Sequence, residues 1–105
     1  ADSISVGLPR NGYYALKMLK KYNGKCITVS DQQILTAQRE LSAKTGLFTE
    51  PAAAASYAGF LEYKDKLEKE STIVLLATGN GLKDIDSAMK NIKFPEKSIS
   101  TLEEL

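Results

Sequence analysis

The 105-residue sequence contains no histidine, and this absence removes the Ser-His and Cys-His nucleophile pairs and every imidazole metal site. Cys26 is its single cysteine, so no internal disulfide can form, and one free thiol fits a reducing, cytoplasmic setting. Neither sign of charge is in excess: 14 basic residues face 13 acidic ones, for a net +1. Nucleic-acid and membrane partners, which favour a marked basic excess, are therefore not expected. The apolar runs fall far short of the roughly 18 residues of a membrane-spanning helix. No signal peptide, internal repeat or low-complexity linker is visible. Ala1-Asp2-Ser3 carries no initiator methionine, and the expectation is a processed chain or a piece of a longer one.

What is present is ordinary for a soluble globular protein. Hydrophobic residues make up 43% and charged residues 26%, and a chain of this length suits one domain that buries about two-thirds of its unfolded surface. A short alternating stretch, Ile4-Ser5-Val6, reads as a strand start. After Pro9, the apolar spacing of Gly12, Ala15, Leu16, Leu19 and Tyr22 predicts a helix that Asn23-Gly24 stops. Ile27, Thr28 and Val29 predict a β-branched strand. Ser30 stands three residues before Gln33, a capping-box spacing, with Val29 and Ile34 in the positions of a hydrophobic staple. The helix begun there is expected to bury Ile34, Ala37 and Leu41 and to end near Thr45-Gly46. Pro51 suits the first turn of a second long helix. That helix is small-sided over its alanine run, 52–55, and at Ala58-Gly59. Its second half is expected to carry the i,i+4 pairs Glu62–Lys66 and Asp65–Lys69. A buried strand over 73–77 and a helix over 82–92, broken at Phe94-Pro95, complete the order, and the tail after Pro95 is too short to add much. Alternation of this kind predicts parallel strands covered by helices, in a sheet that two or three short strands leave incomplete.

The strand over 73–77 ends on Thr78-Gly79-Asn80-Gly81. In open parallel sheets ligands bind beyond the carboxyl ends of strands, where glycines admit close approach and a hydroxyl supplies one directed hydrogen bond. A plain Asn-Gly turn explains the same residues, and the spacing is not that of a Walker loop. Glu50 before Pro51 is accounted for by the helix dipole, or else it is a carboxylate held where a ligand arrives. Cys26 reads as a buried small hydrophobe. Lys17, Lys20, Lys21 and Lys25 read as solvated. Asp84 and Asp86 suit either a metal or, more commonly, the first turn of the next helix.

Taken together and in order, "GLFTEPAAAASYAGFLEY", a lysine-rich stretch, a strand and "ATGNGLKD" resemble the C-terminal part of the threonine synthase family, within the fold-type-II pyridoxal-phosphate enzymes. "ADSISVGLPRNGYYAL" and "ITVSDQQILTAQRELSAKTGLF" resemble the preceding stretches, so the match covers residues 1 to about 86. Threonine or serine dehydratases fit less well, because they usually carry a serine-glycine-glycine-asparagine loop where this chain has Thr78–Gly81.

The resemblance implies a three-layer αβα domain with parallel strands, of which residues 1–105 are a C-terminal fragment. It implies that Thr78 hydrogen-bonds the pyridine nitrogen of pyridoxal 5'-phosphate, with Gly79, Asn80 and Glu50 also at the cofactor and Gly81 letting the loop run close. A hydroxyl partner would leave that nitrogen largely unprotonated and so tune the electron sink. The implied reaction turns O-phospho-L-homoserine and water into L-threonine and phosphate, by γ-elimination and then β-addition. The family's Schiff-base lysine and its glycine-rich phosphate loop match no segment here. None of the twelve lysines stands in a replacing context, and Lys83 matches a different family position. The chain alone is therefore expected to hold no catalytic residue, to be inactive, and to need the remainder of its parent enzyme. The rival expectation is a non-catalytic small-molecule-binding module, or one that forms homo-oligomers through bare sheet edges.

Overall fold

The computed structural model describes residues 1–93, 95, 96, 99–101 and 103. Among the described residues four α-helices follow one another: α1 (Gly12–Lys21), α2 (Asp31–Thr45), α3 (Pro51–Tyr63) and α4 (Ile85–Met89). Tight 3-10 turns cover Asp2–Ile4, Lys64–Lys66 and Gly81–Asp84. The centre of the molecule is the packing of α2 on α3.

Local chemistry sets the ends of α2. The Ser30 hydroxyl accepts the Gln33 amide at 3.2 Å, and the Gln33 side chain accepts the Ser30 amide at 2.8 Å, so the capping box is formed from both sides. Val29 packs against Ile34 as the staple requires. Gly46 then closes the helix at φ 76, in the left-handed region where a side chain would be strained. Pro51 occupies the first turn of α3, where it displaces no hydrogen bond.

The two helices run antiparallel, since Gln33 pairs with Glu62 and Glu40 with Tyr57. Their seam is Ile34, Ala37, Ala54 and Ala58, with Val29, Ala55, Tyr57 and Leu61 around it. Ala37 and Ala54 are fully buried, so small side chains bring the backbones close. Ile34 supplies the one large buried apolar side chain, worth about 2 kcal/mol. Expected Leu41 is only half-buried.

Much of the remaining apolar surface is bare. α1 forms where expected, and Asn23 takes φ 52 while the Gly24 amide bonds the Leu19 carbonyl at 2.8 Å, which is a Schellman closure. Yet no residue of α1 is buried, and Leu16 and Tyr22 are exposed. The radius of gyration is 17.5 Å and the smallest extent only 19 Å, where a compact chain of this size would give about 13 Å for the radius. The molecule is a thin slab, one layer of helices over exposed chain.

The expected strands do not form a sheet. Among the described residues no strand ladder exists, and the β contact present is an isolated antiparallel bridge between Thr49 and Asn80. The expected three layers with parallel strands are thus not seen among the described residues. The reason is physical: a strand exists only through a partner, and segments 27–29 and 73–77 have none here. Val74 and Leu76 are exposed, at 85% and 72%, as they would be on an uncovered sheet. The same lack of a partner leaves Cys26 exposed, not buried. Ile4 belongs to a 3-10 turn instead of a strand.

Two helices are shorter than the periodicity suggests. α3 stops at Tyr63, then loosens through Lys64–Lys66 and becomes extended at Leu67. Leu61 is the last residue of α3 packed on the α2 seam, and past it no further apolar contact with that seam repays helix formation. Glu62–Lys66 and Asp65–Lys69 are accordingly not among the ion pairs. The helix over 82–92 is interrupted at Asp84, whose φ of −145 and ψ of 66 are non-helical. Its carboxylate accepts the Ser87 amide at 3.2 Å and caps the short α4. That settles Asp84 as a capping residue, and no cluster able to hold a metal is found among the described residues. The break expected at Phe94-Pro95, and much of the tail, lie outside the described residues.

Candidate functional site

The two sequence motifs meet at one place. The Glu50 amide donates to the Gly79 carbonyl at 2.9 Å, and the Gly81 amide donates to the Phe48 carbonyl at 2.9 Å. These two bonds flank the Thr49–Asn80 bridge, so the residues leading into α3 are zipped to the loop that follows residue 77. Sequence order alone leaves these segments far apart.

Side chains complete the junction. Glu50 stands at the N-cap of α3, but its carboxylate does not cap the helix. Instead its Oε2 accepts the Ser3 hydroxyl at 3.0 Å and lies 3.3 Å from the Lys83 ammonium. The residue is only 5% exposed, so the helix-dipole explanation is insufficient for its placement. A carboxylate removed from water needs such partners, because its desolvation is otherwise uncompensated.

Both glycines have local reasons. A Cβ built at Gly79 would lie 2.9 Å from the Glu50 Cγ and closer still to its Cδ and Oε1. A Cβ at Gly81 would lie 2.5 Å from the Phe48 ring. Glycine at 79 therefore makes room for the carboxylate, and glycine at 81 makes room for the ring. Asn80 is engaged too, its Oδ1 accepting the Leu82 amide at 2.9 Å to cap the turn Gly81–Asp84.

Thr78 differs from all of these. It is exposed, and among the described residues its hydroxyl has no partner. A free hydroxyl at the end of a bare apolar segment is a suitable donor to an aromatic nitrogen. Beside it, the Glu50 charge is matched by that of Lys83, so the wall carries no net excess. On this face the residues fit the pyridine edge of pyridoxal phosphate.

Sequence reasoning missed three supports. Gln38 is 3% exposed and donates to the Thr49 carbonyl at 2.6 Å, tying α2 to the bridge. Its position four residues after Ile34, on the buried face, is the signal that was available. Phe48 and Lys83 carried no such signal, because their roles depend on a fold-back that no local pattern encodes. Thr49 Oγ1 is buried without a partner.

Away from the junction, the Lys44 ammonium and then the Tyr57 hydroxyl hold the Glu40 carboxyl below its ordinary value. Burial, and then the Glu40 bond, push the Tyr57 phenol up. The lysines at 17, 20, 21 and 25 are exposed, as expected. Lys25 donates to the Tyr63 hydroxyl at 2.8 Å.

Known proteins are similar to this sequence. The chain is 45% identical over 91 residues to a threonine synthase of Synechocystis sp., covering 87% of this chain and 24% of that one. It is 42% identical over 94 residues to a threonine synthase of Halalkalibacterium halodurans, covering 88% and 27%. A threonine synthase of Methanocaldococcus jannaschii is 36% identical over 99 residues, covering 92% and 24%. The chain thus spans about a quarter of the length of these curated relatives. The model of pyridoxal-phosphate-dependent enzymes matches residues 1–79, from the first residue to the glycine that receives Glu50. By that match the chain belongs to the family of pyridoxal-phosphate-dependent enzymes.

Proposed function

We propose that this chain is a C-terminal segment of a threonine-synthase-like enzyme and supplies one wall of its pyridoxal-phosphate site. The parent reaction is the conversion of O-phospho-L-homoserine and water to L-threonine and phosphate. The observation that most directly supports this reading is the junction itself. Two motifs that resemble the family in order also meet in space, and they leave one hydroxyl, that of Thr78, free at the surface.

When bound, pyridoxal phosphate supplies an electron sink for carbanion chemistry. The chain's own contribution is narrower. Thr78 donates a hydrogen bond to the ring nitrogen without offering a charge that would protonate it. Gly79 holds the backbone against Glu50, which fixes where that hydroxyl stands. The exposed apolar segments around Ile27 and 73–76 exclude water once the rest of the enzyme covers them. The Schiff-base lysine and the phosphate-binding loop come from that remainder, and the segment alone is inactive. Asn80, already used as a cap, acts on the loop's shape more than on the ring.

The test is Thr78→Ala in the complete enzyme. Turnover falls by at least about tenfold while the unfolding temperature stays within a few degrees, because Thr78 is exposed and bonds nothing in the chain. An unchanged turnover number removes Thr78 from the site.

A further inference from the structure

Lys83 is a residue to which the resemblance assigns no task. It follows the loop, on the turn Gly81–Asp84, and its ammonium reaches back across the loop to Glu50 Oε2 at 3.3 Å. Ser3 donates to the same oxygen. Both polar partners of Glu50 thus crowd one carboxylate oxygen, and the other lies against Gly79. The loop is consequently fixed from both sides: Glu50 is bonded through its amide to Gly79, and through its carboxylate to the residue that closes the turn. The Glu50 side chain is 6% exposed and that of Lys83 63%. The carboxylate is therefore the buried partner, and the lysine brings compensating charge from solvent.

We propose that Lys83 is a positioning residue for the cofactor wall, balancing the buried Glu50 carboxylate so that Thr78 meets the ring as a neutral donor. Without Lys83, an unbalanced negative charge lies one residue from Thr78. Such a charge favours protonation of a nearby ring nitrogen, and the effect is large over a few ångströms of low-dielectric protein. The carboxylate is also left to seek water, which pulls it out of the space that Gly79 provides. Either response changes what the Thr78 hydroxyl presents. This inference rests on the reading of Thr78 given above, but it is tested separately.

The experiment uses the complete enzyme and four variants at one pH: Lys83→Met, Lys83→Arg, Glu50→Gln and Glu50→Gln/Lys83→Met. Pyridoxal phosphate itself is the probe, titrated into the cofactor-free enzyme and followed by affinity and by the absorption maximum of the bound form. Lys83→Met weakens binding by up to roughly fivefold, the most that a pair screened at its exposed lysine supports, and it shifts the absorption maximum. Lys83→Arg stays within about twofold of the parent. The double variant, which removes both charges, recovers most of the affinity and the original maximum. A merely structural lysine gives a different pattern: the double variant is then as weak as the two losses combined, and that result overturns the proposal, as does a Lys83→Met enzyme unchanged in both readouts. Thr78→Ala, read in the same way, separates the two failures. If it leaves the bound spectrum unchanged, the site assignment fails. If it alters the spectrum while Lys83→Met does not, only the role of Lys83 fails.

Discussion

Replacing Gly79 by alanine adds one methyl group, and the structure says where it goes. The new Cβ meets three side-chain atoms of Glu50, with the Cγ at 2.9 Å and the Cδ and Oε1 nearer. Gly79 is not among the positive-φ residues, so the backbone itself accepts alanine. That acceptance even contributes about 0.4–1 kcal/mol by restricting the unfolded chain. The carboxylate must then turn away. It forfeits the Ser3 hydroxyl, a hydrogen bond to a charged group worth about 1.5–3 kcal/mol. It also forfeits the Lys83 pair, which solvent screening at the 63% exposed lysine holds to about 1 kcal/mol or less. The balance is a local loss of about 2 kcal/mol, or roughly thirtyfold in an opening equilibrium. Amide hydrogen exchange reads it directly at the Glu50 and Gly81 N–H groups that close the junction. Gly59→Ala in α3 is the control, since a Cβ there meets nothing within 4 Å, and it should stabilise the helix by about 0.5–1 kcal/mol. Glu50→Ala removes the same two partners, so adding Gly79→Ala to Glu50→Ala should cost little further protection. Unchanged protection in Gly79→Ala, or a further loss of roughly thirtyfold when it is added to Glu50→Ala, would refute the steric argument.

Two further outcomes follow from other parts of the molecule. Glu40 is held below its ordinary value of 4.5 first by Lys44 and then by Tyr57. A depressed carboxyl stabilises the fold fully above its ordinary value, and that support is lost as pH falls through the lowered one. Glu40→Gln should therefore flatten the decline of the urea midpoint below about pH 4.5, and an identical acid slope would count against the network. The isolated chain, with Val74 at 85% and Leu76 at 72% exposure, should self-associate by light scattering at micromolar concentration. Leu76→Lys should reduce that association, and a monodisperse wild-type chain of 11.5 kDa would show the segment to be self-sufficient.

The parts of this fold legible in the sequence are those fixed by near neighbours. Ser30 and Gln33 specify their helix start within four residues, Gly46 its end, and Pro51 the next beginning. The lengths of α3 and of the last helix were misread, because the 3.6-residue periodicity continues past the point where anything is left to pack against. The β-branched residues at 27–29 and the apolar run at 73–77 predict strands, but a strand needs a partner that these residues do not contain. The candidate site divides the same way. Thr78, Gly79 and Glu50 stood out individually, whereas the interlock of Glu50 with Gly79, Lys83 and Ser3 depends on the chain folding back on itself. Gln38 lay in between, visible as a polar residue on a buried face but without any sign of what it bonds.

The alanine seam between α2 and α3 bears on motion as well as on packing. Ridges of alanine are low, so the two helices present each other nearly smooth surfaces at Ala37, Ala54 and Ala58. Sliding along such a contact meets little steric resistance, and the register is held instead by polar tethers, Gln33 to Glu62 and Tyr57 to Glu40. The start of α3 is in turn fastened to the Thr78 loop through the Glu50 amide. A pull on that loop is thus transmitted along the axis of α3 as shear, of the kind that packed helices accommodate in domain closure. The loop and the start of α3 are joined as one piece, and Gln38 ties α2 to the same junction.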